Sequence, residues 1–304
     1  MSNGTLTEAR PANGRMELPP GEPSATGTTV ELHEIVIRPP NGWHLVNVRE
    51  LYRYRELLFF LVWRDVKIRY KQTVLGVAWA VLQPVMMMAV FTVFFGRLAG
   101  LPSGDIPYPL FAFAGLLPWT FFATGMSSAG NSVVANERLI TKIYFPRLAV
   151  PFAAVGAAAV DFVIALGLLF ILMLCYGVAP GWGLLLAPVV FLFIFVAAAG
   201  FGTWLAALNV KYRDFRYVIP FLVQFWMFAT PTVYMQPAAQ SDGVLNTLLN
   251  LNPMTGLIAT FRAACLGTEI PWGQFAASSA CVVAVFVVGC LYFRKAEDEF
   301  ADII

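Results

Sequence analysis

The sequence predicts an all-α integral membrane protein. Six transmembrane helices follow an N-terminal amphipathic helix at the interface, and a re-entrant helix pair dips into the outer leaflet. Three observations predict this. Of 304 residues, 59% are hydrophobic and 12% charged, about half the charge of a soluble domain. Windows without Asp, Glu, Lys or Arg cover 72–96, 106–136, 162–210, 217–241, 243–261 and 270–293, and about 20 apolar residues cross a bilayer. Finally, Lys and Arg near the expected spans divide fourteen to two between the two sides. The richer side is therefore the cytoplasm, and both termini are expected there.

Residues 1–42 hold six prolines and five glycines, a composition that buries too little apolar surface to offset chain entropy, so they are expected to form a loosely ordered cytoplasmic tail. Residues 1–30 contain no apolar signal-peptide core, which leaves the first span as its own targeting signal. The segment 43–72 is read as the interface helix. Leu51, Tyr54, Leu58, Leu61 and Val62 recur at helical spacing and are expected to meet lipid, while Arg64, Lys67 and Lys71 form a basic stripe toward anionic headgroups.

The six-span domain occupies 73–295. Span one is expected at about Leu75 to Phe95, kinked at Gln83-Pro84, and span two at about Leu110 to Val134. The window 162–210 is too long for one helix and breaks at Tyr176 to Gly181, which gives span three (about Val150 to Cys175) and span four (about Leu184 to Leu208). Span five covers about Val218 to Tyr234, and span six about Phe275 to Phe293. Between them, Asn246, Asn250, Asn252, Thr255 and Gly256 suit a short pair packed against protein better than a span in lipid. Residues 296–304 form a cytoplasmic tail.

The composition excludes several chemistries. The histidines, His33 and His44, both lie in the polar tail, so no intramembrane histidine acts as base or metal ligand. Cys175, Cys265, Cys281 and Cys290 show no paired spacing and supply neither a disulfide framework nor a zinc site. All five lysines follow Val66, Tyr70, Thr141, Val210 or Arg294, never glycine, so the chain carries no phosphate-binding Gly-Lys loop. It is not expected to be an enzyme, to hold a cofactor or metal, or to bind nucleic acid at a net charge of +2. Asp161 is the one acid well inside an expected span. It is either a functional group or a hydrogen-bonding partner for a neighbouring helix. The loop Asn131 to Arg147 combines Glu137-Arg138, an apolar set at Leu139, Ile140 and Ile143, and a Tyr144-Phe145-Pro146 stop. It reads equally as a short helix docking on a soluble partner or as an ordinary connector.

Four blocks in order carry a family resemblance. They are Arg64 to Gly76 with Trp79 and Gln83-Pro84; Asn136 to Pro151; Tyr212-Arg213-Asp214 leading to Thr230 to Tyr234; and Leu251 to Met254 with Phe261-Arg262. Over about 43–295 the chain resembles the permease subunit of polysaccharide and O-antigen ABC exporters, of the ABC-2 type. The resemblance implies a homodimer in the bacterial inner membrane, joined to two copies of an ABC ATPase that binds ATP and Mg, exporting a lipid-linked polysaccharide. It assigns about 49–71 to the interface helix, about 131–147 to the ATPase-coupling loop (Asn136, Glu137, Arg138, Lys142, Tyr144, Phe145, Pro146 and Arg147) and about 244–267 to the outer re-entrant pair.

For such a substrate, Phe91, Phe94, Trp119, Phe122, Phe225, Trp226 and Phe228 are candidate platforms along the path, with lipid contact as the alternative role. Arg53, Arg55, Arg64, Lys67 and Arg69 are candidates for the carrier pyrophosphate or for anchoring to membrane lipids. Export of a lipid or drug is the alternative function. A multi-span glycosyltransferase or acyltransferase fits less well, because Asp105, Asp242 and Glu269 are scattered singly.

Overall fold

The computed structural model describes residues 52–71, 77–100, 106–142, 145–232, 252–297 and 300, and all regular structure among them is helical. The tail 1–42, residues 43–51, Tyr144 and the first half of the expected re-entrant pair lie outside the described residues.

Helix α1 (Arg55–Lys71) precedes α2 (Val77–Phe91), which continues as a π-helical segment at Thr92–Leu98. Pro84 lies within continuous helix. The irregular turns of this span come later, where Ala99 N–H donates five residues back to the Phe94 carbonyl. Helix α3 (Tyr108–Ala135) runs through Pro118 and ends at Asn136, followed by the short α4 (Glu137–Lys142). Next come α5 (Ala149–Tyr176), closed by Gly177 in the left-handed conformation, a tight turn at Trp182–Leu186, and α6 (Ala187–Lys211). Helices α7 (Phe215–Phe228), α8 (Pro253–Leu266) and α9 (Trp272–Glu297) complete the described chain.

Five segments among the described residues are long and apolar enough to cross a membrane: Ala78–Leu98, Tyr108–Ala135, Ala149–Tyr176, Trp182–Lys211 and Trp272–Glu297. Six were expected. The difference is α7, which stops at Phe228 rather than near Tyr234. With 14 residues it extends only about 21 Å, short of a hydrocarbon core of about 30 Å. Thr230-Pro231 explains the stop, since a proline disfavours helical backbone in the residue before it and offers no N–H of its own.

Helix α3 forms the centre. Phe113, Phe121, Phe122 and Met126 on it pack with Val155 and Phe162 of α5 and Ile194 and Ala198 of α6 in the main apolar core. Apolar side chains gain nothing by leaving lipid for one another, so close backbone approach supplies much of the cohesion between such helices. Small residues sit where that approach is tightest: a Cβ on Gly202 of α6 would meet the Ala129 Cβ of α3 at 2.5 Å.

Helix α8 belongs to the interior rather than to lipid, since every residue in it except Ala259 is buried. Its polar groups are met locally. The Asn252 side chain caps its N-terminus by accepting from Met254 N–H, and Gly267 at φ 72° closes its C-terminus. The Thr260 hydroxyl donates to the Gly256 carbonyl.

A second apolar cluster gathers at the end of the bundle that carries α4. It joins Leu61 of α1, Val133 of α3, Ile140 of α4, Phe145, Leu148 and Ala149 at the start of α5, Val210 of α6, and Phe293, Ala296 and Phe300 at the end of the chain. This cluster corrects the expected orientation of α1. Tyr54, Leu58, Leu61 and Val62 face the protein, and Phe59, Phe60, Trp63 and Ile68 are the exposed residues instead. Gly156 of α5 favours the fit: a Cβ there would come within 2.9 Å of the Val62 side chain, so a larger residue would force Val62 or α1 to shift.

Candidate functional site

The loop between α3 and α5 carries an exposed set of charges at the α4 end. Helix α3 ends where the Asn136 N–H reaches back to the Ser132 and Val133 carbonyls. The Asn136 side chain donates to Ser132 O at 2.8 Å and accepts from Arg64 Nη2 of α1 at 2.7 Å. The chain then turns into α4, whose first turn presents Glu137 and Arg138 and whose last residue is Lys142, all three exposed. Ile140 is 7% exposed and points the other way, into the second apolar cluster. Thus α4 has a charged outer face and an apolar root at Ile140, with half-buried Leu139 beside it.

Phe145 is buried beside that root. Arg147 donates from Nη1 to the Glu297 carbonyl at 2.5 Å, with the Glu297 carboxylate 3.9 Å from its Nε. The corner therefore ties α5 to the end of α9. Replacing Ile140 with alanine is expected to loosen α4 at a cost of about 2 kcal/mol. Faster limited proteolysis within Glu137–Lys142, with the global unfolding temperature nearly unchanged, would register it.

The basic candidates on and just before α1 divide into two groups. Arg53, Arg55 and Lys67 are exposed, and Arg55 stacks over the Tyr52 ring at 4.8 Å. Arg64 and Arg69 are already engaged. Arg64 donates from Nε and Nη2 to Asp65 Oδ1 at 3.0 and 2.8 Å as well as to Asn136. Arg69 pairs with Asp161 of α5, and the Tyr70 hydroxyl donates to the other oxygen of the same carboxylate. The partner that Asp161 lacked among the spans comes from the interface helix. Burial first, and then the bond to Asp161, push the Tyr70 phenol up to about 12, so Tyr70 stays protonated and donating at neutral pH.

The seven aromatic candidates also separate. Trp119 and Phe122 are 3% and 0% exposed. The Phe122 ring meets Trp226 edge-on at 5.1 Å and Phe201 at 6.0 Å, and Phe201 meets Trp226 at 4.8 Å. Trp226 is half-buried, and its indole N–H donates to Asn252 Oδ1 at 2.9 Å. Phe91 is buried and stacks on Phe95. Phe94, Phe225 and Phe228 are more than half exposed, on α2 and α7. These two helices neighbour one another, since Phe95 and Met227 pack on the same Phe91 and Leu116 pair.

Sequence reasoning missed Tyr70 and Asn252. Asn252 lies in the segment Leu251 to Met254 that carries part of the family resemblance, and the Asn-Pro step before an apolar run is an N-cap signal that points to its role.

Across the bundle, Arg262 of α8 is 9% exposed. Its guanidinium lies 4.0 Å from the centre of the Phe111 ring, and Nη1 donates to the Thr232 carbonyl at 3.4 Å. Gly115 permits this, because a Cβ there would collide with that carbonyl at 2.0 Å.

Residues 56–266 match the ABC-2 type transporter family. The chain is 34% identical over 260 residues to an O-antigen export system permease protein of Myxococcus xanthus, covering 84% of this chain and 98% of that protein. It is 25% identical over 254 residues to the O-antigen export system permease protein of Klebsiella pneumoniae, covering 82% and 95%. A polysialic acid transport protein of Escherichia coli is 28% identical over 76 residues, a quarter of this chain. With more than half its length matched and its helical bundle of span-length apolar segments, the chain belongs to the ABC-2 type transporter family.

Proposed function

We propose that the chain is the transmembrane subunit of an ATP-driven exporter that moves a lipid-linked polysaccharide out of the cytoplasm across the bacterial inner membrane. The observation that carries this reading is the match, along nearly the whole length, to O-antigen export permeases. The work is mechanical, and ATP with Mg belongs to a separate ABC ATPase present in two copies.

In this reading the α4 end is cytoplasmic, as the excess of Lys and Arg around it requires. Helix α4 docks on the ATPase through Glu137, Arg138 and Lys142, and its Ile140 root passes displacement to the cluster that α1, α3, α5, α6 and α9 share. Such a cluster moves as a body because close-packed interiors do not deform continuously. A second copy completes the permease. The exposed faces of α2 and α7 suit that contact and the path beside it, with Phe94, Phe225 and Phe228 offering rings to sugar faces. Trp119 and Phe122 shape the wall from within. Of the five basic candidates, exposed Arg53, Arg55 and Lys67 are left to receive a pyrophosphate, and α8 is the described part of the outer-leaflet pair at about 244–267.

The test is to purify the chain alone and co-expressed with its candidate ATPase, and to reverse Glu137 and Arg138 in a third preparation. Co-elution and ATP hydrolysis are expected only with the partner, and reversal is expected to cut association by about tenfold or more. A stable chain that never associates with an ATPase would sink the exporter reading.

A further inference from the structure

We infer that Asp161 is a positioning residue of the export cycle, one that clamps the interface helix α1 to the third span α5, so that displacement of α4 reaches the first span through α1. The inference rests on the proposed exporter function and concerns how its stroke is delivered.

Asp161 lies well inside a membrane-spanning helix, yet both its oxygens are taken by donors from outside the spans, Arg69 on one and Tyr70 on the other. Consecutive side chains on a helix diverge by about 100°. Two neighbours can meet one carboxylate only if the helix end lies across it with both side chains folded inward. That arrangement sets the rotation of α1 about its axis as well as its distance from α5. An acid left without these donors in a membrane helix is costly, so the clamp resists opening.

Beside the packing of Tyr54, Leu58 and Leu61 in the second apolar cluster, two further contacts hold α1. Val62 occupies the notch at Gly156, about 7.5 Å before Asp161 along α5. Arg64 joins the Asn136 side chain at the head of α4. One helix thus connects the segment proposed to receive the ATPase, the third span and, across residues 72–76, the start of α2. Without the Asp161 contact, the end of α1 beyond Arg64 would pivot against the part that the second apolar cluster holds, and motion at α4 would be lost before reaching α2.

The test uses the permease with its ATPase in proteoliposomes, measuring polysaccharide exported per ATP hydrolysed. Asp161→Asn keeps the shape and one acceptor but removes the charge, and Tyr70→Phe removes a single hydroxyl. Both are expected to assemble with the ATPase and to hydrolyse ATP, while export per ATP falls about tenfold for Asp161→Asn. Asp161→Glu is expected to recover most of it. The Tyr70→Phe, Asp161→Asn double variant is expected to be no worse than Asp161→Asn, because the two share one contact.

Wild-type export per ATP in Asp161→Asn would overturn the inference, as would additive losses in the double variant or a parallel fall in hydrolysis and export. If Asp161→Asn fails to accumulate, Tyr70→Phe carries the test, and loss of the folded protein in both assigns the acid to folding alone and also overturns it. A spin-label distance between α1 and α5 in nanodiscs separates this from the exporter reading. Asp161→Asn is expected to broaden that distance with no ATPase present, and an unchanged distribution counts against the clamp even where no ATPase binds.

Discussion

Replacing Gly289 with leucine is expected to eliminate the folded permease from detergent extracts, and replacing it with alanine to destabilise it by about 1–3 kcal/mol. Helices α6 and α9 cross with their backbones in contact. A Cβ on Gly289 would lie 2.4 Å from the Gly200 carbonyl oxygen, and one on Gly200 would lie 2.7 Å from the Phe286 Cα. Backbone atoms cannot rotate away as a side chain does, so the helices must separate. Separation loses packing along the whole crossing, and in a membrane no hydrophobic gain replaces it.

Two glycines provide the control. Gly167 and Gly273 lie within helices where an added Cβ meets nothing within 4 Å, so alanine there is expected to be neutral or to stabilise by about 0.5–1 kcal/mol through helix propensity. Thermal unfolding of the purified variants, followed by size-exclusion chromatography, separates the two classes. A Gly289→Ala protein that melts with the wild type would show that α6 and α9 can part without cost.

Asn252→Ala is expected to cost about 3 kcal/mol, from one lost cap and several orphaned partners. Its Oδ1 accepts from Met254 N–H and from the Trp226 indole at 3.1 and 2.9 Å, and its Nδ2 donates to the Ala229 carbonyl and the Thr230 hydroxyl at 3.1 and 2.8 Å. One side chain therefore holds the end of α7 against the start of α8. Asn252→Asp keeps the two accepted bonds and is expected to fall between alanine and the wild type. Trp226→Phe keeps a ring against Phe122 and Phe201 and loses only the indole bond, for about 1 kcal/mol. Equal melting of Asn252→Ala and wild type would mean that the α7 to α8 junction is held elsewhere.

Much of the architecture was legible because hydrocarbon imposes a simple rule. Uncharged runs of sufficient length must be helical, since no water is present to satisfy exposed backbone groups. The ends of α3, α5, α6 and α9 accordingly fall within a few residues of expectation. The short helix α4 was legible as well, because a charged pair followed by an apolar set at helical spacing needs only local geometry. Which residue of α4 turns furthest inward was not, because burial of Ile140 depends on the cluster beneath it. Span five was read as too long because uncharged residues continue past Phe228, although the helix stops there.

The sequence by itself determined the all-helical membrane class, the placement of four spans and of the loop between the second and third, and the absence of a Gly-Lys phosphate loop. These follow from length, charge and local backbone chemistry, each readable one segment at a time. Only the tertiary structure decided which face of α1 meets protein, that Arg64 and Arg69 are already occupied, that Asp161 has a partner outside the spans, and that Trp119 and Phe122 are walled in. Each depends on residues far apart in sequence approaching within a few ångströms, and in a chain so uniformly apolar no pattern of hydrophobicity distinguishes a ring facing lipid from one facing another helix.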